Sequence, residues 1–275
     1  MSRLRDDFAA VVAARPLDLG RSALTIARLG TPDLAVDRCL GTLDELAADA
    51  RPHVPVGVPA GEAGAALAAH LFQAQGFRGN TDDYYDPRNS FLDQVLARRV
   101  GIPITLTVVL IEVAARLGIP VEGVGFPGHF LARIAAPEGD VLLDPFHCGR
   151  RLDAAALLDR YRALGHANAR AVPPSALATT DGPGILARML RNLLRINLER
   201  DAHRDALETI ELLLVLAPES ADDIRLRGLL YAEIECFGAA RDDLRRYLTL
   251  VPQAPDAERI RARLAHLEQH GRTLH

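Results

Sequence analysis

The sequence contains no lysine and only three cysteines. Without lysine, the chain cannot use a lysine nucleophile, form a Schiff base or bind phosphate through a loop of the Gly-Lys-Ser type. The odd number and wide spacing of Cys39, Cys148 and Cys236 argue against a disulfide framework and indicate a reducing compartment. No apolar stretch is long enough to span a bilayer, and the N-terminus lacks an apolar run long enough for a signal-peptide core, so we expect a cytoplasmic protein.

The composition is that of an ordinary globular protein. Of the 275 residues, 49% are apolar and 25% are charged, which allows a sizeable core in one large domain or in two to three small ones. The formal net charge of −4 argues against nucleic-acid binding, because nucleic-acid-binding proteins usually present a basic face. We therefore expect neither a nucleic acid nor a membrane as partner.

Residues 1–80 predict a helical N-terminal lobe, because apolar residues recur there at three- and four-residue spacing. The pattern marks three helices, Leu17–Leu29, Asp33–Ala48 and Glu62–Gln75. A proline-rich stretch separates the last two of them.

Residues 81–155 predict a core of mixed helix and strand. Its predicted elements are two short helices and three β-rich segments bounded by glycine and proline: Ser90–Arg99, Ile104–Leu117, Val121–Phe126, His129–Ile134 and Val141–Leu143. Residues 123–128 spell GxGxxG. A dinucleotide fingerprint would need a helix after this motif, and a β-rich segment follows instead, so we reject that interpretation.

Residues 156–183 are predicted to form a connecting helix and linker, and residues 184–275 a helical repeat lobe. The segment Ala-Pro-Glu-Ser at residues 217–220 recurs as Val-Pro-Gln-Ala at residues 251–254, which places Pro218 and Pro252 34 residues apart. That spacing is the period of tetratricopeptide repeats. In this register Ala206 and Ala240 fall at the positions where two helices cross closely. About two units are recognisable, and a plain helical bundle is the alternative.

An ordered series of motifs runs from Asp82 to Arg151. It comprises Tyr-Tyr-Asp-Pro-Arg-Asn-Ser at 84–90, Gly-Ile-Pro-Ile-Thr at 101–105, Arg-Leu-Gly-Ile-Pro at 116–120, Gly-Phe-Pro-Gly-His-Phe at 125–130 and Leu-Asp-Pro-Phe at 143–146. In order and spacing, this series closely resembles the SirB-type family of bacterial transglutaminase-like proteins. The resemblance implies an α+β fold with a helical N-terminal lobe, a papain-type core containing a small antiparallel sheet, and a C-terminal lobe of tetratricopeptide-like repeats.

The resemblance also implies where catalytic residues would lie. The wider transglutaminase-like superfamily places a cysteine nucleophile at the start of the central helix, a histidine base on the next strand and an orienting aspartate on the strand after it. In this chain His129 matches the base and Asp144 matches the aspartate. Pro103 stands at the nucleophile position, and proline has neither a thiol nor a hydroxyl. The resemblance therefore implies a relic pair without its nucleophile and argues against acyl transfer by the usual mechanism.

Other interpretations of these residues stay open. Cys148 follows Asp144 closely and is a candidate for a relocated nucleophile. The set His129, Asp144, His147 and Cys148 has residue types that bind zinc, but it lacks the usual paired spacing, so we predict no metal and no cofactor. His129 and Asp144 are as readily explained as a buried hydrogen-bonded pair that joins two strands.

We predict a cleft that faces His129 and is lined by Asp86, Arg88, Asn89, Thr105, Gly128, Phe130 and Cys148. The alternative for the polar loop in this set is that it only caps the following helix. In the second repeat we predict that Arg225, Arg227 and Tyr231 bind an acidic or carboxylate-bearing partner, because arginine and tyrosine dominate the binding energy of many interfaces. The alternative is that the arginines pair with acids inside the repeat.

Together these patterns predict a non-catalytic protein that binds a protein or peptide as a scaffold or regulator. The alternative is a hydrolase or acyl transferase that combines His129 and Asp144 with a non-standard nucleophile.

Overall fold

The computed structural model describes residues 3–137 and 139–270. The outermost residues of the predicted terminal lobes, 1–2 and 271–275, lie outside the described residues. The chain divides into two compact units, a repeat unit of residues 1–9 and 190–275 and a core unit of residues 10–189. No helix in the described ranges is both long and apolar enough to cross a membrane.

Helices make up most of the described structure. In chain order they are α1 Arg3–Ala13, α2 Leu19–Ala27, α3 Val36–Ala50, α4 Ala60–Ala69, α5 Leu92–Arg98, α6 Pro103–Leu117, α7 Ala154–Ala163, α8 Gly182–Glu199, α9 His203–Leu216, α10 Ala221–Glu233, α11 Phe237–Leu250 and α12 Ala257–His270.

The strands are short and lie in the core unit. They are β1 Arg78–Gly79, β2 Val100–Gly101, β3 Val121–Val124, β4 Leu131–Ile134, β5 Val141–Asp144, β6 Arg150–Leu152 and β7 Thr179–Thr180. The first two form a parallel pair, and the others form an antiparallel sheet in the order β6-β5-β4-β3-β7. Val124 pairs with Leu131 and Ala132 with Leu143, so the three strands expected from the sequence occupy the middle of this sheet.

Helix α6 is the central element of the core unit. It contacts the helices α2 to α5 and the strands β3 and β4. Most of its residues are buried, which suits a sequence that is apolar on nearly every face. Pro103 occupies the first turn, where its missing N–H has no partner to lose. Gly118 ends the helix in a left-handed conformation with φ of 74°, which a glycine adopts without strain.

The repeat unit is built from helices that pack in sequence order. Helix α9 contacts α10, α10 contacts α11, and α11 contacts α12. Ala206 and Ala240 are fully buried, and a Cβ added at Gly228 would lie 3.0 Å from Leu244. Small residues at these positions let neighbouring helices approach closely, as stacked helical repeats require. The α+β fold with a C-terminal helical repeat lobe is therefore confirmed.

Candidate functional site

The end of β5 and the segment before β4 bring two of the predicted residues together. His129 lies two residues before β4, and Asp144 is the last residue of β5, on the neighbouring strand. His129 Nε2 lies 2.8 Å from Asp144 Oδ1. Because an ionised carboxylate only accepts hydrogen bonds, His129 is the donor in this contact. The side chains are 11% and 1% exposed, so the pair is shielded from solvent.

Two further residues bind the same carboxylate. His147 Nδ1 lies 2.8 Å from Asp144 Oδ2, and the backbone N–H of His147 donates to Oδ1. Arg160, on α7, places its guanidinium 2.9 Å from Oδ2. His147 could be expected from the sequence, because it follows Asp144 by three residues, and it ends the 3₁₀ turn that Asp144 caps. The sequence contains no signal for Arg160, whose contact depends on the tertiary placement of α7.

These contacts determine the charge state of Asp144. Burial alone raises the pKa of its carboxyl, because a charged group loses solvation inside the protein. The hydrogen bonds and charges of His129, His147 and Arg160 outweigh burial and hold the pKa well below its usual range. Asp144 is therefore an ionised, hydrogen-bonded anchor near neutral pH.

Phe146 connects this cluster to the start of α6. Its ring lies over Gly79, where an added Cβ would come within 2.5 Å of it. Gly79 in β1 pairs with Gly101 in the parallel strand β2. Gly101 lies two residues before Pro103. The Phe146 ring also lies 6.0 Å from the His129 ring. These contacts connect the first turn of α6, which begins at Pro103, with the histidine cluster. The assignment of Pro103 to the nucleophile position stays a prediction.

The polar loop before α5 is organised by hydrogen bonds of its own. Asp86 is buried and accepts from the backbone and side chain of Arg88, whose own side chain is exposed. Asn89 is fully buried and donates to the backbone of Asp83. The Thr105 hydroxyl, also fully buried, lies 2.8 Å from the Asn89 carbonyl oxygen. These contacts attach the loop to the first turn of α6.

The predicted cleft residues therefore occupy different environments. Arg88, Gly128 and Cys148 are exposed, whereas Asp86, Asn89, Thr105 and Phe130 are buried. Tyr84 links the loop to the histidine cluster, because its ring lies 5.8 Å from that of Phe146. The assignment of these residues to a ligand-binding cleft stays a prediction.

The histidine cluster has the donor atoms of a metal site. One ligand atom each from His129, Asp144 and His147 lie within 4.8 Å of one another, and imidazole with carboxylate suits several divalent metals. Arg160 is bound to the same carboxylate, so a cation would have to displace a positive charge already in place. We therefore interpret the set as a hydrogen-bonded cluster.

The residues predicted to bind a partner in the repeat unit engage acids within that unit. Arg225 pairs with Asp256, and Arg227 binds Asp243 and Glu211. The Tyr231 hydroxyl lies 3.4 Å from Glu211. The alternative named for the arginines, pairing inside the repeat, is thus observed. Their role in partner binding stays a prediction, because these contacts do not test it.

The family model of the transglutaminase-like superfamily matches residues 37–191, and a model of the tetratricopeptide repeat matches residues 193–265. No solved structure matches the chain.

Several bacterial proteins are similar over most of their length. A UPF0162 protein of Xylella fastidiosa is 44% identical over 207 residues, which cover 74% of this chain and 73% of the relative. A UPF0162 protein of Pseudomonas aeruginosa is 34% identical over 260 residues, 93% of each chain. Protein SirB1 of Salmonella typhimurium is 30% identical over 210 residues, covering 76% of this chain and 77% of the relative.

Proposed function

Because this chain belongs to the transglutaminase-like superfamily and has the UPF0162 and SirB1 proteins as relatives, we propose that it is a non-catalytic member that binds a protein or peptide. The family resemblance noted in the motif series is confirmed by these relatives, and the repeat period by the match to the tetratricopeptide model. What the family match leaves open is whether the core acts as a catalyst or as a binding surface.

The observation that carries the proposal is Pro103 at the start of α6. In the superfamily this helix start holds the cysteine whose thiolate the helix N-terminus stabilises. Proline provides no sulfur or oxygen that could attack an acyl group. We assign His129 and Asp144 to the base and orienting positions that accompany this helix start, and the nucleophile that they would activate is missing. Such a core would keep the surface around His129 for binding but could not carry out acyl transfer through a cysteine.

The contacts of Asp144 support the same proposal. Its carboxylate is held by His129, His147 and Arg160, which is the pattern of an anchor that joins strands and helix. The exposed Tyr85, with 47% of its surface accessible, stands next to Tyr84 at the edge of this cluster. Aromatic side chains of this kind contribute large, rigid contact areas to binding sites.

The repeat unit supports a macromolecular partner. Tetratricopeptide repeats generally mediate protein–protein contacts, and helical repeats of this class present extended surfaces to peptides. We place the protein in the cytoplasm, consistent with cysteines that form no disulfide in the structure.

The test is a selection of short peptides on the full chain, followed by affinity measurement on variants. The triple replacement Cys39→Ala, Cys148→Ala and Cys236→Ala should bind selected peptides as the wild type does. Tyr85→Ala should weaken binding about 10-fold, since an aromatic hot spot contributes about 1–2 kcal/mol. Val56→Ala, at a position 98% exposed in another part of the core unit, is the matched control and should have no effect.

Two results would contradict the proposal. One is a wild-type chain that binds no peptide of the library. The other is cleavage or acylation of a bound peptide that disappears in the cysteine-free variant, because thiol catalysis would then be real.

A second function is favoured by the orientation of His129. Asp144 binds its Nε2, which leaves Nδ1 without a partner among the described residues. In that orientation Nδ1 could accept a proton from a water molecule and promote hydrolysis without a protein nucleophile. Hydrolysis of selected peptides by the cysteine-free variant, lost on His129→Ala, would establish this activity.

A further inference from the structure

Arg188, on α8, is a half-buried cation without an acidic partner in the described residues. Its NH2 atom donates to the backbone oxygens of His129 at 2.6 Å and of Phe126 at 3.3 Å. The guanidinium lies 5.2 Å from the centre of the Phe130 ring. Burial lowers the pKa of Arg188, because a charged group loses solvation inside the protein. Arg160, by contrast, does have an acidic partner, the carboxylate of Asp144.

The protein makes room for this side chain. A Cβ added at Gly125, the residue after β3, would lie 3.2 Å from Arg188 NH1 and 3.0 Å from Thr180 Oγ1. Glycine at this position lets the guanidinium pass over the backbone and reach the loop before His129. The Arg188 donors and the Thr180 hydroxyl therefore border the same small space above Gly125.

Part of the guanidinium is available for a further bond. A guanidinium has five N–H donors, and the two carbonyl contacts involve only NH2. The Nε and NH1 atoms have no acceptor in the described residues. Some polar side-chain atoms of the described residues are fully enclosed and lack a partner, but Nε and NH1 of Arg188 are not among them. Solvent or a ligand can therefore reach them.

The position of Arg188 relates these donors to the candidate site. Tyr84 lies close enough to Arg188 to interact with its charge. The Tyr84 ring contacts the Phe146 ring, and the Phe146 ring contacts the His129 ring. Arg188 itself binds the backbone of His129. An anion that binds the guanidinium would thus lie at the edge of the aromatic and histidine cluster proposed to take a peptide.

The charge balance indicates which anion fits. A cation withdrawn from water gains most from a paired anion, and a carboxylate oxygen can accept a charge-assisted hydrogen bond from the N–H groups that remain on NH1. A phosphate carries nearly two charges near neutral pH and would call for a second cation. Arg160 is already bound to Asp144, and Arg88 is bound to Asp86.

We propose that Arg188 binds a carboxylate of the peptide ligand, either its C-terminus or an aspartate or glutamate side chain. The inference rests on the proposed peptide-binding function and specifies the chemistry of its ligand. It is independent of the arginines in the repeat unit.

The experiment uses peptides selected on the full wild-type chain from a random library with unblocked C-termini. Each selected peptide is remade with an amidated C-terminus and, separately, with its acidic side chains replaced by amides. Fluorescence polarisation should show at least about a 10-fold loss of affinity for one of the two forms, as expected for a hydrogen bond between charged groups. Which form loses affinity identifies the source of the carboxylate.

Three variants complete the test, each checked by thermal melting. Arg188→Gln should lower affinity by about the same factor and abolish the difference between charged and amidated peptides. Arg188→Lys keeps the charge and should preserve part of that difference. Arg195→Gln, on the same helix but about half exposed, should leave binding unchanged.

The outcomes separate the two proposals. If peptides bind but the amidated and side-chain-neutral forms bind equally well, the carboxylate assignment is overturned and peptide binding stands. If no peptide binds the wild type, both proposals fall together. The comparison on wild-type protein needs no substitution, so a variant that fails to fold cannot obscure the answer.

Discussion

Replacing Asp144 by alanine should strongly destabilise the core unit. The carboxylate is fully buried and accepts from His129, His147 and Arg160. Its removal leaves several donors, including a charged guanidinium, without their acceptor inside the protein. Losing one partner of such a buried charged network costs about 3–5 kcal/mol. For a unit of this size we expect the melting temperature to fall by roughly 10 °C.

The assay is thermal unfolding followed by circular dichroism at neutral pH. Asp82→Ala removes an exposed carboxylate from the same unit and should leave the melting temperature unchanged. Asp144→Asn keeps the shape and one acceptor oxygen, so its melting temperature should lie between those of wild type and Asp144→Ala. A melting temperature of Asp144→Ala equal to that of wild type would refute the claim that this carboxylate anchors the core.

The same residue predicts how the effect depends on pH. Because the folded protein holds the pKa of Asp144 below that of the unfolded chain, ionisation stabilises the fold. This contribution is fully present above the unfolded pKa of about 4 and is lost as pH falls through the folded pKa. The difference in stability between wild type and Asp144→Asn should therefore be constant from neutral pH down to mildly acidic pH. It should shrink only below about pH 4.

Two further predictions concern packing and buried charge. Gly79→Ala should destabilise the core unit by about 1–3 kcal/mol, because the added Cβ would collide with Phe146. The control is Gly41→Ala, in a helix with open space around the glycine, which should stabilise the unit by about 0.5–1 kcal/mol. Burial raises the pKa of Glu112, so the stability tied to its protonated form is lost as pH rises through that pKa. Glu112→Gln should therefore gain in melting temperature relative to wild type as pH rises above the unfolded pKa of about 4, and an unchanged difference would contradict this.

The sequence predicted the elements that have strong local signals. Helix α6 was expected over residues 104–117 and is observed over Pro103–Leu117. The prediction succeeded because Pro103 and Gly118 bound the apolar run on either side. The three middle strands were predicted from their β-rich composition and bounding glycines and prolines. Helix α1 was missed, since Phe8 is its only fully buried residue and the apolar pattern is weak. Strands β6 and β7 are only three and two residues long, too short to show alternation.

The same contrast applies to the site. His129 and Asp144 could be placed together because each lies at a strand end within a recognisable motif. Arg160 and Arg188 could not, since each comes from a helix distant in sequence whose packing decides where the guanidinium lies. Sequence spacing alone carries no information on such contacts. Residues that complete a site from another element become visible only when the chain is folded.

Pro103 and Asp144 differ in how much the surrounding fold depends on their side chains. Proline is favoured in the first turn of a helix, so Pro103 can occupy the start of α6 without structural cost. Asp144 is different, because His129, His147 and Arg160 all depend on its carboxylate. We therefore expect a histidine–aspartate pair of this kind to stabilise the fold whether or not it catalyses anything. Within the same site, Arg188 has no such balance of charge in the described residues. The unmet charge is therefore a stronger indication of a ligand than the histidine–aspartate pair.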